Sequence, residues 1–378
     1  MTRLVDRVTA SRFVRRDLRA AIVPWLAARF IVAGALAVAR FVFDQVGRGT
    51  RPAALTQGLF AWDASFYRAI AEHGYDSLPR DALRFFPLYP VAGRVLGWVL
   101  TGHDAVALLV VANLSALTFA ALLHRLAELE TGDAALARRA TWFAAVFPAA
   151  AVLVMGYAEA LFMALAAGMF LALRTRRWVV AGVLGVLAGL CRPLGVVLVV
   201  PAAIEAWRGW GSAPPGERVR RVAAVAGPAV GLGVYLVYAA FARDDFFLPL
   251  TVQNRKSLRG GFVDPFTSVF HAFEHLFNGD RFGAGLHGVW AVVFVVLLVV
   301  LVRRFPASYS AYAGVVLVLT LTARNLDSFE RYAMSTFPFL LGLAAATGPE
   351  EVERGALVVA AAALTGYAIL AFLGLSVP

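Results

Sequence analysis

The sequence predicts an all-α polytopic membrane protein: a bundle of about 9–11 transmembrane helices with a large first outer loop carrying interfacial helices. Three observations predict it. The 378 residues are 60% hydrophobic and only 16% charged, against about 25% charged in an ordinary soluble domain. Apolar stretches of bilayer-crossing length recur along the whole chain. Arginines fall in short clusters between those stretches, as topology determinants do. The net charge of +11 therefore does not point to nucleic acid, because the basic residues do not share one soluble face.

Taken in order, the apolar stretches are 20–43, 104–124, 140–154, 159–173, 222–241, 286–302, 308–323, 331–346 and 356–375. The run 178–204 is long for one span and short for two, and Cys191-Arg192-Pro193 interrupts it. Orientation follows the arginines. Arg3, Arg7, Arg12, Arg15, Arg16 and Arg19 put the N-terminus in the cytoplasm, before a retained anchor rather than a cleaved signal. The clusters Arg138-Arg139, Arg174 to Arg177, Arg208 to Arg221 and Arg303-Arg304 are then inside. This parity requires residues 84–100 to be interfacial or re-entrant, and 178–204 to go out and come back near Arg192-Pro193, a turn tolerated where it lines a polar cavity. Residues 44–103 and 242–285 become outer loops of a single domain, 1–378, in the cell inner (plasma) membrane. Cys191 is the only cysteine, which excludes an intramolecular disulfide and a cysteine-based metal site.

The unusual polar residues gather in the outer segments. Asp63 opens a helix over 62–73 closed by Gly74, with Trp62, Phe66, Ala69 and Ile70 on one face, an amphipathic helix on the outer leaflet. Two roles are open for Asp63: an N-terminal cap, or a general base that takes the proton from an acceptor hydroxyl. Arg84 precedes Phe85-Phe86-Pro87-Leu88-Tyr89-Pro90, whose prolines fix the chain; it either snorkels or meets a phosphate. His73 reads as a neutral interfacial histidine or, less commonly, as an acid or ligand. Arg192 is costly inside an apolar run unless an anion compensates it. Glu159, beside Tyr157, is one such anion, and a phosphate is the other. Glu330-Arg331-Tyr332 is an interface anchor or the far wall of the same site. Gln253-Asn254-Arg255-Lys256 is a solvated loop or a sugar contact.

Several chemistries lack their signature. There is no phosphate-cradling Walker loop and no dinucleotide glycine fingerprint. No Asp-x-Asp pair stands in the first outer loop, and no histidine pair has zinc-ligand spacing. Neither a metal nor a cofactor is called for.

Trp62-Asp63 with Phe66, Ile70-Ala71 and Gly74-Tyr75 begins a series of motifs in fixed order. Arg84-Phe85-Phe86-Pro87-Leu88-Tyr89-Pro90 follows, then Phe147-Pro148, Tyr157-Ala158-Glu159-Ala160-Leu161-Phe162, Arg192-Pro193-Leu194-Gly195, Arg331-Tyr332 and Phe337-Pro338. In these residues the chain resembles the GPI mannosyltransferase II family, in its bacterial branch, within the glycosyltransferase C superfamily. The resemblance covers residues 60–340. It implies an inverting glycosyltransferase that moves a sugar, mannose by this likeness, from a polyprenyl-phosphate donor on the exoplasmic side. The acceptor would be a cell-envelope lipid, a glycan or a secreted protein. Asp63 would be the base and Arg84, Arg192 and Arg331 the donor-phosphate ligands. Trp62, Tyr67, His73, Tyr89, Tyr157, Glu159, Gln253 and Tyr332 would line the substrate pocket. One departure is visible: the family's outer loop often carries Gln followed shortly by Trp, and here Gln253 is followed by Asn254-Arg255-Lys256-Ser257. Two other classes remain open, a lipid or glycan transporter or flippase, which would need inverted repeats and mid-membrane polar sites, and a non-catalytic assembly subunit that would tolerate loss of Asp63.

Overall fold

The computed structural model describes residues 2–47, 49–255, 258–278 and 284–377, with side-chain surroundings from Arg15 onward and not for Ala284. Lys256, Ser257 and loop residues 279–283, and the side chains of Arg3, Arg7 and Arg12, lie outside the described residues. Among the described residues there are helices and no strands; Phe262 and Ala323 form one isolated antiparallel bridge. The helices are α1 (Thr2–Val46), α2 (Ala53–Gln57), α3 (Asp63–His73), α4 (Leu88–Val99), α5 (Asp104–Thr131), α6 (Ala134–Val146), α7 (Glu159–Arg174), α8 (Trp178–Cys191) and α9 (Val199–Trp207). They continue with α10 (Pro215–Arg243), α11 (Leu248–Thr251), α12 (Pro265–Asn278), α13 (Ala284–Arg304), α14 (Ala307–Leu321), α15 (Phe329–Met334), α16 (Pro338–Ala346) and α17 (Glu350–Phe372).

Among the described residues, five helices are long and apolar enough to cross a membrane: Arg15–Val46, Asp104–Thr131, Pro215–Arg243, Gly285–Arg304 and Glu350–Phe372. Shorter apolar helices complete the bundle. Two stretches expected as single spans are broken instead. Residues 140–154 divide into α6 and a 3-10 turn beginning at Pro148, and 331–346 divide into α15 and α16 at Pro338. Proline lacks the N–H and clashes with the preceding turn; α1 and α10 run on through Pro24 and Pro228, so proline favours these two breaks without enforcing them.

The run 178–204 is a hairpin. After α8, Arg192 is extended (φ −154°, ψ 151°) and Pro193 starts a 3-10 segment. The chain then returns along α9, bringing Ala206 and Arg208 back beside Trp178: Arg221 donates to both carbonyls and stacks over the Trp178 ring at 4.9 Å. α8 packs on α10 through Gly185, Gly189, Gly227 and Gly231, where a Cβ would run into the facing helix; such small-residue contacts replace the hydrophobic driving force that lipid cannot supply.

Residues 80–99 fold back against the start of α5. Tyr89 donates to the Leu108 carbonyl at 3.0 Å, and Gly93 and Gly97 let α4 lie close to α5. Pro90 sits in the first turn of α4, where its missing N–H costs nothing. The outer face of α4 leaves Val91, Val95, Trp98 and Val99 uncovered, as suits a helix facing lipid. The described parts of the segments read as outer loops meet at one end of the bundle. The segments carrying the arginine clusters meet at the other, where Arg174 joins Glu130 and Glu205, Arg138 joins Glu353, and Arg16 joins Glu128.

Candidate active site

Two acids stand at helix starts. Asp63 is the first residue of α3 and Glu159 the first of α7. Each helix presents unpaired N–H groups and the positive end of its dipole there, which favours a carboxylate or another anion. Asp63 does not cap α3: Trp62 holds the N-cap position, and no side-chain cap bond is formed. Trp62 is in the left-handed region at φ 60°, and so is Ser328 (φ 61°), which launches α15. A non-glycine residue pays of order 1–3 kcal/mol for such a conformation. Both strained residues precede helices that deliver a charged group, Asp63 and Arg331, to the same cavity.

That cavity, of ≈ 120 Å³, is lined by Asp63, Tyr67, Arg84, Tyr157, Glu159, Arg192, Gln253, Arg259, Arg331 and Tyr332, with Phe85, Pro193 and Leu194 as apolar wall. The charges interlock. Arg331 Nη2 donates to Asp63 Oδ2 at 2.9 Å, and Arg84 Nη2 reaches Asp63 Oδ1 at 3.5 Å. Arg192 Nη1 lies 2.5 Å from Glu159 Oε1 and Arg331 Nε 3.5 Å from the same oxygen, as ion pairs without hydrogen-bond alignment. Arg192, Arg331 and Glu159 are buried. Several of their polar atoms have no hydrogen-bond partner: Arg84 Nε, Arg192 Nη1, Arg331 Nε and Nη1, and Glu159 Oε2. Buried donors left this way are costly, and native structures avoid them unless something else completes them. Burial first, and then the Glu159 carboxylate, push the Tyr67 phenol well above its ordinary range, so it remains a donor.

Of the residues singled out from sequence, nine meet here: Asp63, Tyr67, Arg84, Tyr157, Glu159, Arg192, Gln253, Arg331 and Tyr332. Three do not line the cavity. Trp62 turns away and donates its indole N–H to the Ala371 carbonyl at 2.9 Å. Tyr89 is buried behind Tyr67, with the rings edge to face at 5.2 Å, and its hydroxyl is used by Leu108. His73 is exposed beside Glu72; ten residues along α3 from Asp63, it is about 15 Å away down the helix axis. Of the face expected to lie on the outer leaflet, Trp62, Phe66, Ala69 and Ile70, only Ile70 belongs to the stripe that packs into the protein. Ala64, Tyr67, Ile70 and Ala71 face inward, while Phe66 is half-buried and stacks on Phe85 at 4.8 Å, under the Arg84 guanidinium. Packing against α4 and α5 sets that face, and the sequence pattern alone does not contain it.

Arg259 lines the cavity and was not singled out. It lies in Arg259-Gly260-Gly261, which reads as an ordinary turn; only a count of basic residues in the outer loops would have drawn notice to it. Among the described residues, one set of metal-ligand types converges, Asp17, His124 and Glu128. It lies at the opposite end, where His124 Nδ1 and Asp17 Oδ1 are 2.7 Å apart and Glu128 pairs with Arg16.

Comparison with known proteins adds one positive finding. Residues 48–204 match the family described as Mannosyltransferase (PIG-V). The mannosyltransferase match takes in Asp63, Arg84, Tyr157, Glu159 and Arg192, and the fold brings Gln253, Arg259, Arg331 and Tyr332 to them from beyond it. It supports a glycosyltransferase, and the long apolar helices make that a multi-pass membrane protein. No curated protein matches the chain.

Proposed function

We propose that the protein transfers mannose from a polyprenyl-phosphate donor to a hydroxyl of a cell-envelope lipid or glycan, with inversion, on the exoplasmic face of the plasma membrane. One observation carries the reading: Arg84, Arg192 and Arg331 converge on one recessed cavity with only Asp63 and Glu159 to balance them, and several of their buried N–H groups are unsatisfied. Guanidinium forks match phosphate oxygens, and a lipid phosphate would complete those donors.

Asp63 is engaged by Arg331 and Arg84. A donor phosphate competes for the same guanidiniums and leaves the carboxylate a lone pair for the acceptor. Asp63 then takes the hydroxyl proton as the acceptor oxygen attacks the anomeric carbon, and the phosphate leaves with the electron pair of the broken bond. Glu159 Oε2, Tyr157 and Gln253 are polar groups of the same cavity, and in this scheme they would meet the sugar hydroxyls. Neither a metal nor a cofactor has a role in this scheme.

Membranes carrying the protein are given polyprenyl-phosphate mannose labelled in the sugar, and in parallel a labelled nucleotide sugar under conditions that block formation of the lipid-linked form. Label passing to an envelope acceptor from the first donor only is the expected result; transfer from the nucleotide sugar alone would sink the reading. Sidedness rests on the arginine clusters. In a Cys191→Ala background, Asp76→Cys at the cavity end should react with an impermeant thiol reagent in intact cells, and reaction only after lysis would reverse the orientation.

A further inference from the structure

Arg259 has no part in the scheme above, yet its position is constrained. Three guanidiniums surround the Tyr332 ring: Arg259 at 4.7 Å, Arg331 at 5.2 Å and Arg192 at 5.4 Å from its centroid. Arg192 and Arg331 have carboxylates against them. Among the described residues no ion pair holds Arg259. Its main chain is nevertheless pinned. Arg259 N donates to the Gln253 carbonyl at 3.0 Å, and Asn325 N donates to the Arg259 carbonyl at 2.9 Å, tying it to the chain that leads into α15.

Among the described residues lining the cavity, four arginines thus face two carboxylates, Asp63 and Glu159, a surplus of two positive charges (4 − 2). A sugar phosphodiester carries one negative charge. The phosphomonoester it becomes carries close to two, because its second ionisation lies at a pKa of about 6. With both carboxylates ionised the cavity is charge-matched to the dianionic product phosphate; in the transfer step itself the acceptor proton neutralises Asp63, so the positive surplus grows to three (4 − 1) as the phosphate gains its second charge. Groups that bind the reacting phosphate more strongly as its charge develops accelerate that step.

We propose that Arg259 is a further catalytic residue, which takes up the second negative charge of the departing phosphate. This rests on the donor reading above. The acceptor oxygen bonds to the anomeric carbon, and the bond from that carbon to the phosphate oxygen breaks with its electron pair staying on phosphate. The acceptor proton passes to Asp63, and Arg259 meets the new charge. A corollary is that the site holds polyprenyl phosphate more tightly than a neutral-capped diester of the same chain, so the spent donor is a competitive inhibitor.

The test uses the full-length protein in nanodiscs and two probes, a long-chain polyprenyl phosphate and its methyl phosphodiester. Wild type should bind the monoester at pH 8 at least about tenfold more tightly, and the preference should fade as pH drops through about 6 and the monoester loses its second charge. Arg259→Gln should weaken monoester binding roughly 10–100-fold, the range for a lost hydrogen bond to a charged group, with little change for the diester; Arg259→Lys should keep part of the preference. Equal weakening of both probes by Arg259→Gln, or an unchanged preference, overturns the role of Arg259 and leaves the donor reading intact. If wild type binds neither probe, the donor reading itself falls and this inference falls with it.

Discussion

The two ends of the bundle both carry arginines among carboxylates, and they treat them differently. At the end away from the cavity, each nitrogen of the Arg174 guanidinium is hydrogen-bonded, to Glu130 twice and Glu205 once, with Tyr309 and Ser308 completing those acids. Arg221 is likewise saturated by Glu217, Ala206 and Arg208. At the cavity end, Arg84, Arg192 and Arg331 keep buried nitrogens with no hydrogen-bond partner, and cations outnumber carboxylates. A structural ion pair in low dielectric has to satisfy all its donors to offset its desolvation. A binding site keeps donors free for the ligand and draws on the rest of the fold for the cost. Residue type does not separate the two roles here; the completeness of the hydrogen bonding around the carboxylate-paired arginines does, although Arg218 Nε, near Arg221, is also buried without a partner.

The sharpest way to break the comparison is Asp63→Asn. The substitution keeps the shape and can still accept from Arg331, but it removes the basic lone pair. Transfer should fall on the order of 10²–10⁴-fold in protein that still inserts and folds, with some loss of melting temperature because the buried Arg331 keeps only its ion pair with Glu159. The cavity also gains a net positive charge, so polyprenyl phosphate should bind as well or better while turnover collapses. Near-normal turnover would make the carboxylate a structural partner of Arg331 and place the cavity end in the same class as the other. Arg192→Lys probes the same distinction more gently. Lysine retains the ion pair with Glu159 but loses the two-pronged fit to phosphate, so the Michaelis constant for the donor should rise roughly tenfold with melting unchanged. An unaltered donor constant would mean that Arg192 serves Glu159 alone.

How much of this is legible in the sequence follows from the physics at each residue. Asp63, Arg84 and Arg192 stand out because a charge inside or beside an apolar run is expensive, and the reversal at Arg192-Pro193 follows from the proline and the span parity. The breaks at Pro148 and Pro338 were open to the same argument, yet the apolar runs around them read as continuous. The partners are not legible. That Arg331 reaches Asp63 across 268 positions, and that Arg192 settles on Glu159, depend on how α7, α8 and α15 converge. The inward face of α3 depends on α4 and α5, which is why Tyr67 and not Trp62 reaches the cavity. Arg259 was hidden because a charged residue in a glycine-rich loop looks solvated until the loop is seen tied to Gln253 and Asn325.

The smallest effect on catalysis should come from the saturated end. Arg174→Gln removes a cation whose two acids are almost fully buried, with Glu130 and Glu205 side chains 3% and 5% exposed. Breaking a buried pair from one side leaves uncompensated charge and typically costs 3–5 kcal/mol; the partial exposure of Arg174, 23%, puts the loss near the low end, about 3 kcal/mol. The variant should therefore melt well below wild type in the same detergent. Its donor constant and its turnover per folded molecule should stay within about twofold of wild type, since uncoupled sites leave transition-state stabilisation intact. The order Asp63→Asn, Arg192→Lys, Arg174→Gln then runs from a mainly chemical lesion to a mainly structural one. A large loss of turnover in folded Arg174→Gln protein would show that the two ends are coupled through α7, which begins at Glu159 and ends at Arg174, and saturation would no longer separate structure from function.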